Sequence, residues 1–558
     1  MKRAAWCAFF ALCSFGCPAD DPEDTGSGTS DSSTSDAPAT GTDAATTTTT
    51  DSAEGSTAQA DSSSGAPTGP VPASGISVDW VEANQAVGVR IGDNGGEVGP
   101  EGRTSPLLAN RITLIRAFWE IDDAWEPREI EARLTVNFPD GTSDTKIDSK
   151  LVEGPSFIGN LSEAFFWGLM ADEAQPGITY HIELFEADPA NADPAVVEPP
   201  RLPEDGSEAF VGIEDSWQLL KVVIVPFNYD FGECTREPDL SEETMQLFYD
   251  YMYMMMPIDQ LEIEIRPNVD WDGELTSFVP LNQYMAGLRV DEEAAPEVFY
   301  YGLVDVCSGG LGGAGGLANG IPSDPASPDV AYQRVSSGLS LPANPEFSAD
   351  TFVHEVGHSL GRRHVACSGE EGGPDPTYPI EGGDLGEWGF GVVDFQLRHP
   401  TVYKDYMTYC NPAWVSTWGL NKVYPVIRTL SMWDDDYPGA DAIDPPRPPA
   451  GSVLIGNLLP DGTEAWYTVP GRIGTLERSA TMRIEFGTPT GSLVRDVRVT
   501  ELPDVGGTML IAELPVGFDQ ITTITRIEGD QRFEIERSAV RAHAKTRGSV
   551  AASAHHSR

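Results

Sequence analysis

Three histidines lie within one short stretch of this 558-residue chain, in the pattern HExxHxxGxxH. His354 and His358 are four residues apart, so on a helix they lie on one face and can bind the same metal ion from adjacent turns. Gly361 can adopt a positive φ and end the helix, which lets the chain turn back and bring His364 to the same ion. Glu355 lies next to the first histidine, in the position of a general base.

Histidine is rare in this chain, which has only 8 in total. A surface helix that carries three of them by chance is therefore the weaker interpretation. Three protein ligands leave a fourth position open, as is typical of catalytic zinc sites, whereas four protein ligands are typical of structural ones. The pattern predicts a zinc hydrolase centre. The other histidines show no ligand spacing and are assigned no function; they are His181, His399, His543, His555 and His556.

A second motif lies downstream at Asp405–Cys410, with Met407 at its centre. Together the two motifs resemble the metzincin clan of zinc endopeptidases, and are most similar to its secreted bacterial mucinase and pappalysin-like members. The resemblance extends from Trp217 to Trp433. It implies an α/β (α+β) catalytic domain with a twisted mixed sheet, an active-site helix beneath the sheet, and a cleft in which substrate lies extended along an edge strand.

The resemblance also implies roles for individual residues. One catalytic Zn²⁺ would be bound by the three histidines and would activate water, with Glu355 as the general base. Met407 would form a hydrophobic floor under the histidines, and Tyr409 would donate a hydrogen bond to the developing oxyanion. The alternatives are plain core packing for the methionine and a buried structural role for the tyrosine. Whether Ca²⁺ also binds is left open.

Four of the seven cysteines lie in the segment that resembles the metzincins: Cys234, Cys307, Cys367 and Cys410. They can form two disulfides in three different pairings, and a cysteine-ligated zinc site is the competing interpretation, although the usual CxxC spacing is missing. The resemblance brings the segments after the third histidine and after the methionine together around one metal. We therefore expect Cys367 to pair with Cys410, and Cys234 with Cys307.

The N-terminus predicts export. Residues 1–17 have the basic start and short apolar stretch of a signal peptide, and Cys17 ends a segment that resembles a lipobox. We expect either an outer-surface lipoprotein lipidated at Cys17 or a secreted extracellular protein. The apolar stretch is too short to span a bilayer, so a lipid anchor would be the only membrane contact. Residues 18–74 are rich in Ser, Thr and Asp and predict a disordered spacer.

The remaining chain divides into three predicted domains and a tail, namely a β-sandwich-like domain at 75–205, a zinc metallopeptidase domain at 215–436, a C-terminal β-sandwich-like domain at 450–540 and a tail at 541–558. Alternating apolar and polar residues with turn signals indicate the two flanking β domains. In the middle domain, the apolar run Leu219–Val225 predicts a buried strand that ends at Pro226. Ser241 predicts the N-cap of a helix that runs to about Met255.

The chain is strongly acidic, with 35 basic and 87 acidic residues and a net charge of -52. Nucleic acid is therefore excluded as a partner, because binding phosphates needs a basic face. We predict a secreted or surface-tethered zinc-dependent endopeptidase with a protein or glycoprotein substrate. Two alternatives stay open: a surface adhesin or glycan-binding lipoprotein with a structural or inactive zinc site, and a zinc hydrolase that acts on a non-peptide bond.

Overall fold

The computed structural model describes residues 69–543, except 370–371, 441–442, 444–445, 448, 475–477 and 480. The predictions for the signal peptide, for Cys17, for most of the spacer and for most of the tail lie outside these residues. Within the described part of the chain, no helix combines the length and the apolar character needed to cross a bilayer.

Strands dominate the structure, so the predicted α/β class is wrong and the fold is β-rich. The described residues form 33 strands and four α-helices, and most of the strand pairs are antiparallel. The prediction took its class from the segment 215–436, where strands and helices alternate. The described residues on either side of that segment contribute strands but no α-helix, and these strands decide the class of the whole chain.

Most of the N-terminal strands form two sheets, with orders β1-β10-β7-β8 and β4-β3-β2-β6-β9, around one apolar core, while β5 and β13 form a separate parallel pair. Alternate residues of a strand face opposite sides, so Ile130, Leu134 and Val136 of β7 all point into this core and are fully buried. The strands are β1 (Val71–Pro72), β2 (Ile76–Asn84), β3 (Gly88–Asp93), β4 (Gly96–Glu97), β5 (Leu107–Leu108), β6 (Thr113–Ile121), β7 (Arg128–Asn137), β8 (Ser143–Val152), β9 (Phe165–Leu169), β10 (Thr179–Glu186), β11 (Arg201–Leu202), β12 (Ala209–Phe210) and β13 (Ile213–Glu214).

The middle segment contains a mixed sheet and all four α-helices. Its strands are β14 (Leu219–Phe231), β15 (Cys234–Arg236), β16 (Gln260–Ile265), β17 (Val269–Trp271), β18 (Phe299–Val304), β19 (Gly316–Ala318), β20 (Val335–Leu339), β21 (Gly389–Gly391), β22 (Gln396–Arg398), β23 (Lys404–Asp405) and β24 (Ala413–Trp414). The helices are α1 (Glu242–Met255), α2 (Val279–Asp291), α3 (Pro345–Ser359) and α4 (Thr417–Ser431). The sheet order is β15-β14-β18-β20-β19, with β16 and β17 also paired to β14. Strand β19 is thus an edge.

Two local predictions for this segment have different outcomes. Helix α1 begins after Ser241, whose hydroxyl accepts a hydrogen bond from the Thr244 amide, and it ends at Met255 as predicted. Strand β14, in contrast, continues through Pro226 instead of ending there. On the side opposite β18, β16 pairs with β14 up to Ile224 and β17 pairs again from Phe227. Proline lies in the gap between them, where a missing amide donor interrupts no ladder.

The C-terminal strands form two further sheets, with orders β29-β30-β25-β26-β33 and β28-β27-β31-β32. The first of these also packs on the middle segment, since Val453 and Tyr467 share one apolar core with Met285 and Leu317. The strands are β25 (Ser452–Leu458), β26 (Glu464–Pro470), β27 (Met482–Thr488), β28 (Gly491–Asp496), β29 (Arg498–Leu502), β30 (Gly507–Glu513), β31 (Thr523–Glu528), β32 (Gln531–Ile535) and β33 (Val540–Ala542).

Two disulfides join distant parts of the middle segment. Cys234 pairs with Cys307, with 5.8 Å between their Cα atoms, and Cys367 pairs with Cys410, with 6.2 Å between their Cα atoms. These are the expected pairs. Disulfides persist in oxidising compartments, so they indicate an extracellular or periplasmic protein.

Asp350 on α3 generates a prediction about the pH dependence of stability. Burial, together with repulsion from Glu346 one turn earlier, raises the pKa of Asp350 from 3.8 to about 7, although Arg398 opposes the shift. The folded chain therefore binds this proton more tightly than the unfolded chain. Its contribution to stability is complete at pH values below 3.8 and is lost as the pH rises to about 7.

We expect Asp350→Asn to raise the free energy of unfolding at pH 8 by roughly 1–4 kcal/mol, because the variant buries no charge there. At pH 4 or below, where the native carboxyl is protonated, the variant and the native chain should be equally stable. Urea unfolding at the two pH values measures the difference. A stabilisation of the same size at both would contradict this explanation.

Candidate metal centre

Helix α3 carries the first two histidines and has well-defined ends. It begins after Asn344, whose side chain accepts a hydrogen bond from the Phe347 amide. It ends before Gly361, which has a φ of 88° as the sequence predicted. A side chain at this glycine would lie 2.8 Å from Pro325, so the close approach also requires glycine. The chain then reverses and brings His364 back towards the helix.

The three imidazoles are all oriented by backbone carbonyls. In each ring, Nδ1 lies within hydrogen-bond distance of a carbonyl oxygen, which can only accept. Each Nδ1 is therefore the protonated nitrogen, so in the neutral ring each Nε2 carries a lone pair. The contacts are His354 to Tyr406 (2.8 Å), His358 to Arg362 (2.7 Å) and His364 to Gly372 (3.0 Å).

The lone pairs of the three Nε2 atoms point at one another. Nε2 of His358 lies 3.1 Å from Nε2 of His364, and Nε2 of His354 is buried without a hydrogen-bond partner. Burial, together with the nearby His364, lowers the pKa of His354 to about 4, and burial also lowers the pKa of His358. Neutral imidazoles at this separation repel unless a cation lies between them. The donor set therefore fits a metal ion, which this cluster could hold.

Asp504 adds a fourth group that sequence reasoning missed. It lies in the turn Pro503–Val505 between β29 and β30, and its Oδ1 is 3.2 Å from Nε2 of His364. Its ligand atom and those of the three histidines all lie within 4.8 Å of one another. The fourth position, which the sequence analysis left open, thus faces a carboxylate.

Nothing in the sequence singles out Asp504. It is one of 87 acidic residues and has no fixed spacing from the histidine motif. A Pro-Asp-Val-Gly-Gly segment is an ordinary turn signal between strands. Only the packing of the C-terminal sheet on the middle segment brings it to the centre.

Glu355 lies on α3 beside the edge strand β19. It is 2 % exposed, and its Oε2 has no hydrogen-bond partner among the described residues. A Cβ atom at Gly316 of β19 would lie 2.7 Å from its Oε1, so helix and strand approach closely at this point. Burial, together with repulsion from Asp504, raises the pKa of Glu355 well above its usual value, although a hydrogen bond from the Ala318 amide opposes the shift.

Met407 packs directly under the helix, where its side chain is fully buried. A Cβ atom at Gly357 would lie 2.8 Å from its Sδ, so the helix and the methionine approach closely here. The Met407 amide donates to Oδ1 of Asp405, which also accepts a hydrogen bond from Arg362 at 3.2 Å. The Met407 carbonyl accepts from the Val365 amide. These bonds join the methionine turn to the segment that carries the third histidine.

Tyr409 lies at the mouth of the cluster and is 42 % exposed, so it is not a buried structural residue. Its ring centroid is 4.7 Å from that of His364, and its hydroxyl donates to Oδ1 of Asp504 at 2.7 Å. The disulfide between Cys367 and Cys410 closes the chain around this tyrosine and the third histidine. The structure thus brings the predicted site residues of both motifs together.

The other described histidines lie outside the cluster. His181 contacts Glu208 at 2.9 Å, and His399 packs against Trp388 with 4.8 Å between ring centroids. His543 lies close to Gly287 on α2. His555 and His556 fall outside the described residues.

Comparisons with known proteins provide little further information. Neither a protein-family model nor a curated protein matches the chain. Among solved structures, a calcium-binding mutant of β-glucuronidase 2 from Bacteroides uniformis has a TM-score of 0.16 and 11 % identity, over 42 % of this chain and 30 % of that one. Metalloproteinase-II from Bacteroides fragilis has a TM-score of 0.20 and 13 % identity, over 50 % of this chain and 78 % of that one. TM-scores this low do not establish a shared fold.

The converging nitrogens generate a prediction about metal binding. We expect His354→Ala to weaken zinc binding by about 100-fold or more, since loss of a ligand should exceed the 10–100-fold effect of losing an outer hydrogen-bond partner. His399→Ala, which removes an exposed imidazole, is the matched control and should bind zinc as the native chain does. Titration of metal-depleted protein against a competing chelator measures both affinities. Equal affinities in the two variants would show that the cluster is not the metal site.

Proposed function

We propose that this chain is a secreted or surface-tethered zinc-dependent endopeptidase that hydrolyses peptide bonds of extracellular proteins. One observation carries the proposal. Three neutral imidazoles present their Nε2 lone pairs to one point, and Glu355 lies on the same helix with a buried carboxylate oxygen that has no partner. The first group suits a metal ion, and the second suits a general base.

The donor set supports zinc. Imidazole nitrogens with outer hydrogen bonds to carbonyls are typical ligands for Zn²⁺, and an added carboxylate oxygen is compatible with it. When bound, zinc supplies Lewis acidity, which polarises a carbonyl oxygen and lowers the pKa of an adjacent water molecule. His354, His358 and His364 would hold the ion.

Side chains next to the histidines would carry out the proton transfers and stabilise the oxyanion. Glu355 accepts the proton of the attacking water at its carboxylate and passes it to the amine that leaves. The hydroxyl of Tyr409 is a donor next to His364, and it stabilises the oxyanion once Asp504 no longer accepts its hydrogen bond.

The edge strand β19 supports a polypeptide substrate. An extended peptide can add to the unpaired side of an edge strand through main-chain hydrogen bonds, which bind it with little regard to sequence. β19 passes Glu355 at Gly316, so a peptide paired there would cross the metal centre. Backbone pairing along a strand is a property of proteins, so the site fits an endopeptidase better than a hydrolase of small esters.

The disulfides and the net charge of the chain are compatible with an extracellular enzyme. Two disulfides support an oxidising compartment, and the net charge of -52 disfavours nucleic acid. We propose export through the segment 1–17, with Cys17 as the site of a lipid anchor in the surface-tethered form.

The carboxylate of Asp504, as the fourth group of the cluster, favours a second function. Three histidines and Asp504 form a four-residue set, and zinc sites closed by four protein ligands are usually structural. In that case the metal would brace the junction between the middle segment and the C-terminal sheet of an adhesin or glycan-binding lipoprotein. Such a protein would bind its partner without turnover, and a change at Glu355 would not affect it.

Glu355→Gln separates the two functions. We expect zinc-loaded native protein to release new α-amino groups from casein, gelatin or mucin, with turnover lost on chelation and restored by zinc. The variant should lose turnover by on the order of 10³-fold, because the amide cannot accept the water proton. Its zinc content should equal that of the native chain, since Glu355 is not one of the clustered ligands.

Glu346→Gln is the control, since it removes the same charge from an exposed position on the same helix. It should retain native turnover. Turnover that persists in correctly folded Glu355→Gln protein would refute the proposed base. Zinc bound with no turnover on any of the three substrates, in the native chain and in the variants described below, would favour the structural function.

A further inference from the structure

The carboxylate of Asp504 occupies the side of the cluster that three ligands leave open. Its Oδ1 faces His364 at 3.2 Å and accepts from Tyr409, while Oδ2 lies 3.9 Å from Nε2 of His358. The side chain is 8 % exposed. It therefore lies where a fourth ligand would lie. It also accepts the hydrogen bond of the Tyr409 hydroxyl, which a reacting substrate oxygen would otherwise accept.

The protonation of the imidazoles indicates which kind of group the Asp504 carboxylate could bind. Each Nδ1 proton is already donated to a backbone carbonyl, so the Nε2 atoms offer lone pairs instead of protons. The Asp504 oxygens therefore face acceptors instead of donors. A cation shared by the three nitrogens and the carboxylate removes the conflict. Asp504 thus has the arrangement of a metal ligand.

The turn that carries Asp504 also lies in the path of a substrate. Residues 503–505 pack against β19, the edge strand next to Glu355. A peptide paired with β19 and a water molecule at the metal would both need the space that this turn fills.

Building on the proposed function, we propose that Asp504 is an autoinhibitory ligand, which keeps most of the peptidase molecules inactive at any time by filling the fourth coordination position. The C-terminal sheet delivers the inhibitory group, and activation consists of displacing the turn 503–505. The sheet itself is held to the middle segment by other contacts. Tyr467 donates to Asn319 at 2.8 Å, and Arg498 donates to the Ile321 carbonyl at 2.7 Å, beside an apolar core shared with the middle segment.

Asp504→Ala and Asp504→Asn test this assignment through access to the metal. Acetohydroxamate, a small chelating probe, is titrated into the cobalt-substituted full-length protein, and the visible spectrum reports binding. A site that is open for only a fraction of the time shows an affinity reduced by that fraction, so both variants should bind the probe about tenfold more tightly or better. Asp519→Ala removes an exposed carboxylate from the same region of the chain and should behave as the native protein.

Zinc content and turnover are measured on the same proteins. Retained zinc, tighter probe binding and peptide hydrolysis raised by a similar factor support the autoinhibitory ligand. Retained zinc with unchanged probe affinity refutes it, as does loss of zinc from both variants, which would make Asp504 an obligatory structural ligand. Retained zinc and tighter probe binding without hydrolysis of casein, gelatin or mucin would support the ligand assignment and overturn the proposed peptidase.

Discussion

Three hydrogen bonds from imidazole Nδ1 atoms to backbone carbonyls determine the chemistry of the centre. Without them, each ring could present either a proton or a lone pair to its neighbours. With them, all three Nε2 atoms of His354, His358 and His364 present lone pairs at a separation that requires a cation. The acceptors are main-chain oxygens, so the tautomers depend on the path of the backbone and not on any particular side chain.

The backbone that supplies these carbonyls is held by a small buried network. Two of the acceptors come from the chain just after α3, and the third comes from the segment of Met407. Asp405 connects the two regions, since it accepts from Arg362 on one side and from the Met407 amide on the other. The disulfide between Cys367 and Cys410 joins them a second time. These contacts do not touch the metal ligands themselves, but they hold the backbone carbonyls that orient the ligands.

The sequence predicts arrangements of residues that are close together along the chain, but not contacts between residues that are far apart. The spacing of His354, His358 and Gly361 follows from helix geometry, so a local pattern was enough to anticipate their arrangement. The class of the whole fold depends on how many strands the flanking segments contribute. The middle segment, where strands and helices alternate, indicates an α/β class when it is considered alone. Asp504 reaches the centre through the packing of two sheets, and no local pattern encodes such a contact.

The core shared by the C-terminal sheet and the middle segment has a consequence for the order of assembly. Residues as late as Ile511 fill a core that also contains Phe278 and Tyr300, so the middle segment cannot bury this face until the ribosome has also released the C-terminal strands. Strands β29 and β30 flank Asp504 and complete that core. On the proposed mechanism, the inhibitory carboxylate therefore reaches the metal centre in the same step that completes this core.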